Sequence, residues 1–318
     1  MSGGSTAAMP LDITKVPVAP HSPFAAANDV SIKLTTANDT LIQALFICHN
    51  EGEAACVGMF PQYGGAVIIK KLVEIICKQS KSGLFALDNN DAEMVGKELL
   101  KMQRRLILSG YQIVNVASLA TLVNLTKLVL NQNQIINVAP LVTLVNLTTL
   151  CLSHNKIVDV ASLAELANLT VLSLTGNQII DVAPLAALFN LTTLYLTHNK
   201  IVDVAPLAEL ANLTVLHLGG NQIINVEPLT TLVHLTELGL YGNQIVNVAP
   251  LATLVNLTEL YLNRNQIVDV APLATLVNLK RLHLIENQIV DTTPLRSLPK
   301  TTKIVGVVVV RGGCCTIV

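Results

Sequence analysis

Aromatic side chains are scarce in this chain: they make up 3% of it, and tryptophan is missing altogether. A core built around large rings is excluded, so leucine, valine, isoleucine and alanine must fill the interior. Charge is scarce too, at 13% of residues with a net charge of −1. A nucleic-acid-binding face needs clustered basic residues, and the sequence has no such cluster. Although 51% of residues are hydrophobic, no unbroken apolar run nears the roughly 20 residues of a spanning helix. The strongest candidate is the short stretch Ile304–Val310. The six cysteines (Cys48, Cys56, Cys77, Cys151, Cys314 and Cys315) include no CxxC pair and no close-set disulfide framework. The amino-terminal stretch has no basic start followed by an apolar core, so no secretory signal is expected. Together these features fit a reducing, cytoplasmic setting.

What the chain does have is a period. From Asn133 an asparagine returns every 22 residues, at Asn155, Asn177, Asn199, Asn221, Asn243, Asn265 and Asn287. Such self-similarity decides a fold before any local signal does. One unit reads NLTTLYLTHNKIVDVAPLAELA from Asn190 to Ala211, with Leu191, Leu194, Leu196, Asn199 and Ile201 as its frame. Leu194 and Leu196 are two apart and point to one side of a short strand, leaving Thr193, Tyr195 and Thr197 on the other. Asn199 follows where the chain must turn, and its amide can both donate to and accept from turn backbone groups. Val204, Leu207 and Leu210 are spaced by three, which suits a short tight helix, and Pro206 fits its first turn. A single unit cannot bury enough to offset the ordering of its chain, so neighbours must stack. Six Asn-Leu-Thr triplets, starting at Asn124, fall at one fixed repeat position and read as turn residues feeding a strand rather than as glycosylation sites.

The L-x-x-L-x-L-x-x-N-x-I frame resembles the short 22-residue class of leucine-rich repeats, seen in internalins and in the regulatory subunit of type-one protein phosphatase. The resemblance covers roughly residues 105 to 299. It implies an α/β fold: a right-handed solenoid with a parallel sheet on the concave face, short 3-10 or α helices on the convex face, and an N-terminal helical cap. It also implies protein binding, with a phosphatase as one candidate partner.

The chain divides into four parts. Residues 1–38, with Pro10, Pro17, Pro20 and Pro23 in the first thirty, read as a loosely packed leader. Residues 39–105 read as a helical cap: Ile68, Ile69, Leu72, Val73 and Ile76 make one apolar face, and Asn90 with Glu93 resembles a capping box. Residues 106–299 hold about nine repeats. The first is degenerate, with Tyr111 at the asparagine position among Leu106, Leu108 and Ile113. Residues 300–318 read as a closing strand, Ile304–Val310, and a tail with cysteines. The stretch Asp88–Leu99 begins like a calcium loop but has Glu93 where glycine is needed and ends in Leu99 instead of glutamate. Cys48, His49, Cys56 and Cys77 match no common zinc spacing. No metal or cofactor is expected.

The register singles out the residues that should face a partner. The position between the strand leucines runs Val129, Cys151, Ser173, Tyr195, His217, Gly239, Tyr261, His283. Beside it stand Tyr241 and Asn263, then His154, His198, Arg264 and Glu286, while Glu237, Glu259 and Arg281 line the preceding row. Solvent-facing aromatics are not needed for folding and are frequent in binding hot spots. The predicted contact set is therefore Tyr195, His217, Tyr241, Tyr261, His283, His198, Glu237, Glu259, Arg264 and Arg281. His154 and His198 lie two strands, or about 10 Å, apart and do not share an ion. Acid–base constellations are missing, so an enzyme is not expected, and the chain reads as a monomeric scaffold or adaptor. The end, Cys315-Thr316-Ile317-Val318, fits a prenylation signal apart from its final valine, and Cys314 could carry a second lipid. That would tether the protein to the cytoplasmic face of a membrane. The alternative reading is an exported adhesin of internalin type.

Overall fold

The computed structural model describes residues 104–306, together with the backbone of two short strands, Val309–Arg311 and Cys314–Thr316. The leader, the helical cap, the Asp88–Leu99 stretch and the group Cys48, His49, Cys56 and Cys77 lie outside the described residues.

Ten strands of three residues each, from Arg105–Ile107 to Lys303–Val305, form one parallel sheet in chain order. The register steps by one repeat without a slip. Leu128 lies beside Leu150, then Leu172, Leu194, Leu216, Leu238, Leu260 and Leu282. Every one of these leucines is fully buried, as is the second strand leucine of nearly every coil. The repeats stack into a solenoid, with this sheet on its concave face.

Nine 3-10 helices of five residues, from Ala117–Thr121 to Thr293–Ser297, return the chain along the other side. Every helix among the described residues is of this tight kind. Apolar residues spaced by three lie on one side of a 3-10 turn, and Val204, Leu207 and Leu210 are all buried. Pro206 sits in the first turn, where its missing N–H leaves no bond unmade. An Asn or Asp two residues ahead of each helix caps it. Asp203 Oδ1 accepts from the Ala205 N–H at 2.8 Å, and Asn137 does the same for Ala139.

The asparagine ladder closes the interior. Asn199 Nδ2 donates to the carbonyls of Leu196 (2.9 Å) and of Leu174 in the preceding coil (3.0 Å), and its Oδ1 accepts from the Ile179 N–H at 3.1 Å. One amide thus stitches two coils together where water cannot reach. The same set recurs up to Asn287. At the first coil Tyr111 lacks such an amide, and its backbone N–H instead donates to Asn133 Oδ1 at 3.0 Å. The Asn-Leu-Thr triplets form a second ladder. Asn190 Nδ2 donates to the Ala167 carbonyl at 2.9 Å, and the Thr192 hydroxyl donates to the Thr170 carbonyl at 3.1 Å.

The expected closing strand Ile304–Val310 is two elements instead. Lys303–Val305 adds the tenth strand, parallel to Arg281–His283. Val309–Arg311 belongs to a separate antiparallel pair with Cys314–Thr316. Gly306 ends the tenth strand: its φ is +98°, and a Cβ there would collide with the Ile285 backbone.

Candidate functional site

Parallel register turns each sequence column into a physical row on the concave face. Val129, Cys151, Ser173, Tyr195, His217, Gly239, Tyr261 and His283 are direct neighbours in that order. The expected contact residues on the sheet are thereby brought together, but they do not stand up into solvent. Their rings lie over the gaps that small neighbours leave. The Tyr241 ring covers Gly219, and the imidazole of His198 covers Gly220. His154 lies on Gly176, and His217 lies beside Gly239. A Cβ at Gly219 or Gly220 would occupy the space now taken by the ring.

Tyr195 is the clearest departure from expectation. It was read as solvent-facing, yet it is only 8% exposed, and Ser173 and Thr197 around it are buried as well. A tyrosine flanked by serine and histidine columns can lie flat, and adjacent coils about 4.8 Å apart leave little water between side chains. Burial pushes its phenol well above the ordinary range, helped by the nearby Glu237 carboxylate. Cys151, two coils back, is fully buried, and its thiol is pushed up to about 11 by burial. It stays a protonated, unreactive thiol at neutral pH.

The second half of the face is a connected polar and aromatic network. Tyr195 and His217 meet edge to face at 5.2 Å between ring centres. His217 and Tyr261 approach at 6.2 Å across Gly239, and Tyr261 and His283 at 4.9 Å. His217 Nε2 lies 2.8 Å from Glu237 Oε1. The Tyr261 hydroxyl donates to Glu259 Oε2 at 2.5 Å, and Arg281 donates to both oxygens of the same carboxylate at 2.9 and 3.1 Å. Burial pushes the Tyr261 phenol upward and the Glu259 bond pushes it further. Burial and then Arg281 hold His283 below its ordinary value. Tyr241 sits edge to face with His198 at 6.0 Å and hydrogen-bonds Thr197, while burial raises its phenol. Arg264 reaches Glu286 in the next coil at 3.0 Å, with both side chains more than half exposed.

One row carries a signal that the sequence reading missed. The residue just before each ladder asparagine has a left-handed backbone throughout. Glycine supplies it at Gly176, Gly220 and Gly242, with φ of 63° to 68°. Gln132, His154, His198, Arg264 and Glu286 adopt it with full side chains, at φ of 55° to 59°. Such a residue gives up roughly 1–2 kcal/mol relative to an unstrained one. Four of the five coils that bear the strain use it to present an imidazole or a charged group at the rim of the concave face. Glycine holds the same conformation at Gly176, Gly220 and Gly242, so the turn itself does not require these side chains.

Cys314 and Cys315 are on the strand Cys314–Thr316, which pairs antiparallel with Val309–Arg311. Among the described residues no group of three His, Cys, Asp or Glu side chains could hold a metal ion. Among them, too, no helix is long and apolar enough to cross a membrane.

The family description "Leucine Rich repeats (2 copies)" matches residues 145–187, 189–231, 211–253, 233–275 and 255–300. The solved structure of internalin C2 from Listeria monocytogenes is 42% identical, with a TM-score of 0.56. The match covers 57% of this chain and 80% of that one. The leucine-rich-repeat ectodomain of the Arabidopsis thaliana receptor kinase GASSHO1/SCHENGEN3, solved in complex with CASPARIAN STRIP INTEGRITY FACTOR 2, is 26% identical with a TM-score of 0.55. There the match covers 63% of this chain and 26% of that one. A plant peptide hormone receptor, RGFR1 in complex with RGF2, shares the fold at 21% identity and a TM-score of 0.57, over 64% of this chain and 36% of that one. No curated protein matches the chain. With the frame, the ladder and these matches together, the chain belongs to the leucine-rich-repeat proteins. These proteins use the open face of the solenoid as a binding surface and are in general not enzymes.

Proposed function

We propose that this protein is a non-enzymatic scaffold or adaptor that grips a globular protein partner on the second half of its concave face, from Tyr195 to Glu286. The observation that carries this reading is the connected cluster of Tyr195, His217, Glu237, Glu259, Tyr261, Arg281 and His283 on a face whose first half bears valine, cysteine and serine in the same columns. Half-buried aromatic groups joined to ion pairs are the composition of interface hot spots. The strained rim residues His198 and Arg264 add to it. The receptor ectodomain solved with its protein ligand gives the reading a precedent within the fold. A phosphatase is one candidate partner, from the resemblance of the repeat to the phosphatase regulator.

The test uses the full chain immobilised as bait, with His217→Ala and Tyr261→Ala beside it. Loss of a specific partner with an unchanged melting midpoint supports the reading, and identical capture defeats it. Tyr195 is a poor probe, because its burial couples it to stability.

The 42% identity to internalin C2 favours a second reading, an exported adhesin or host-interacting factor. Detection of the protein outside the producing cell distinguishes it from a cytoplasmic adaptor. A lipid on Cys315, with or without Cys314, would tether the adaptor to the inner face of a membrane. Equal membrane partition of the intact chain and a Cys315→Ser variant removes that part of the proposal.

A further inference from the structure

Three residues after the ladder position, every coil exposes a β-branched apolar side chain. The row runs from Val114 to Val290 without exception, through Ile136, Ile180, Val202 and Ile224. Each is 43% to 85% exposed. At about 4.8 Å per coil the nine positions make a stripe roughly 38 Å long. Packing of the coil does not ask for it. The buried positions on either side, Ile201 and Val204 in one coil, already fill the interior. Threonine has the same branching and the same preference for extended chain without the exposed methyl groups, yet valine or isoleucine stands in all nine coils. A contiguous apolar patch of this length is unusual on a monomer and marks an interface.

The flanking rows say what kind of surface covers the stripe. On the side toward the concave rim, two residues ahead of the stripe, stands a row of glutamines with Lys156 and Lys200. On the side toward the helices, one residue after it, stands the row of Asn and Asp caps, including Asp159 and Asp203. Lys156 and Asp159 share one coil, and Lys200 and Asp203 share another. A two-fold axis running along the stripe lays the row of lysines and glutamines of one copy over the capping row of the other at the same height. Lys156 then meets Asp159 of the second copy, and Lys200 meets Asp203. Running the two stripes in opposite directions would set each capping row against its own copy, Asp against Asp. Nine coils with three edge positions each also supply about the 20–30 residues a side of a standard-size protein interface. We propose that this edge of the solenoid is a homodimer interface in which two chains pack stripe on stripe, side by side and in register.

The inference is independent of the concave-face reading, since the two surfaces share no residue. Sedimentation equilibrium on the full chain across the micromolar range tests it. The expected mass is twice the 34.0 kDa of one chain. Val202→Asp and Val202→Lys should each return the single-chain mass, while Phe189→Asp, exposed on a different edge, should leave the dimer intact. Val202 is 50% exposed, so its replacement leaves the core alone, and an unchanged circular dichroism spectrum checks this. Lys156→Glu with Lys200→Glu should weaken the dimer. Adding Asp159→Asn and Asp203→Asn, which keep the helix caps, should restore part of the loss. A wild-type chain that sediments at the single-chain mass overturns the proposal, whether the stripe then holds another protein or nothing. So does a dimer indifferent to both Val202 variants.

Discussion

The buried wall and the concave face of this solenoid are made by the same 22-residue coil, yet they obey opposite rules. On the wall the leucine at the centre of each strand never changes from Leu128 to Leu282, and the asparagine repeats eight times. On the face the adjacent residue changes at nearly every step, from Val129 and Cys151 to Tyr261 and His283. Stacking explains the first set, because one altered wall position disturbs two neighbours. It offers no explanation for the second. The difference teaches that stability and recognition occupy separate columns here and can be broken separately.

The largest expected effect falls on the wall. Asn199→Ala would leave the Ile179 N–H without its buried partner and take one of two amide donors from each of the Leu174 and Leu196 carbonyls, which keep Asn177 and Asn221. At about 1–3 kcal/mol for the orphaned N–H and about 0.5–1.5 kcal/mol for each carbonyl bond lost, the loss should be at least about 2 kcal/mol, read by chemical denaturation. On the face the effects should reverse. Tyr261→Ala should weaken partner binding by about 30-fold or more with little change in melting midpoint. Ser153→Ala, in the small-residue half at the coil position that Tyr241 fills four repeats later, should alter binding by no more than about twofold. Cys151 sharpens the boundary between the two sets. It stands in a face column but is buried with a thiol raised to about 11, so peptide mapping should find it unalkylated in the native chain and fully alkylated on unfolding.

The smallest effect is a pH dependence. His283 is held below its ordinary value of 6.5 by burial first and Arg281 second. The unfolded chain therefore takes up the proton first. Stability attributable to this residue is complete above about 6.5 and declines as pH falls from there toward the folded value. His283→Gln should flatten that part of the stability profile, and an unchanged slope would assign it to other groups.

The wall was legible because its causes lie within one unit: a spacing of two for the strand, a spacing of three for the 3-10 turn, and an asparagine at the bend. The columns of the face were legible for the same reason, since period and register are enough to name Tyr195, His217 and Tyr261 as neighbours. How the rings lie was not, because it depends on what stands one coil away. Tyr241 lies flat because Gly219 is bare, and no reading confined to one unit contains that pair. The strained rim was available in outline, as a column alternating glycine with histidine, arginine and glutamate. The tail failed for a simpler reason: Gly306 punctuates a stretch, Ile304–Val310, that was read as one apolar run.

Replacing His198 and Arg264 by glycine tests the separation most directly. Both sit at left-handed backbone, φ 55° and 59°, that glycine adopts freely. The paired measurement is partner retention by the immobilised full chain from an extract of its source cells, alongside the melting midpoint of each variant. Retention should be lost while the midpoint holds or rises. If the glycine variants retain the same proteins as the wild type, the rim and face are not the binding surface and the account is wrong.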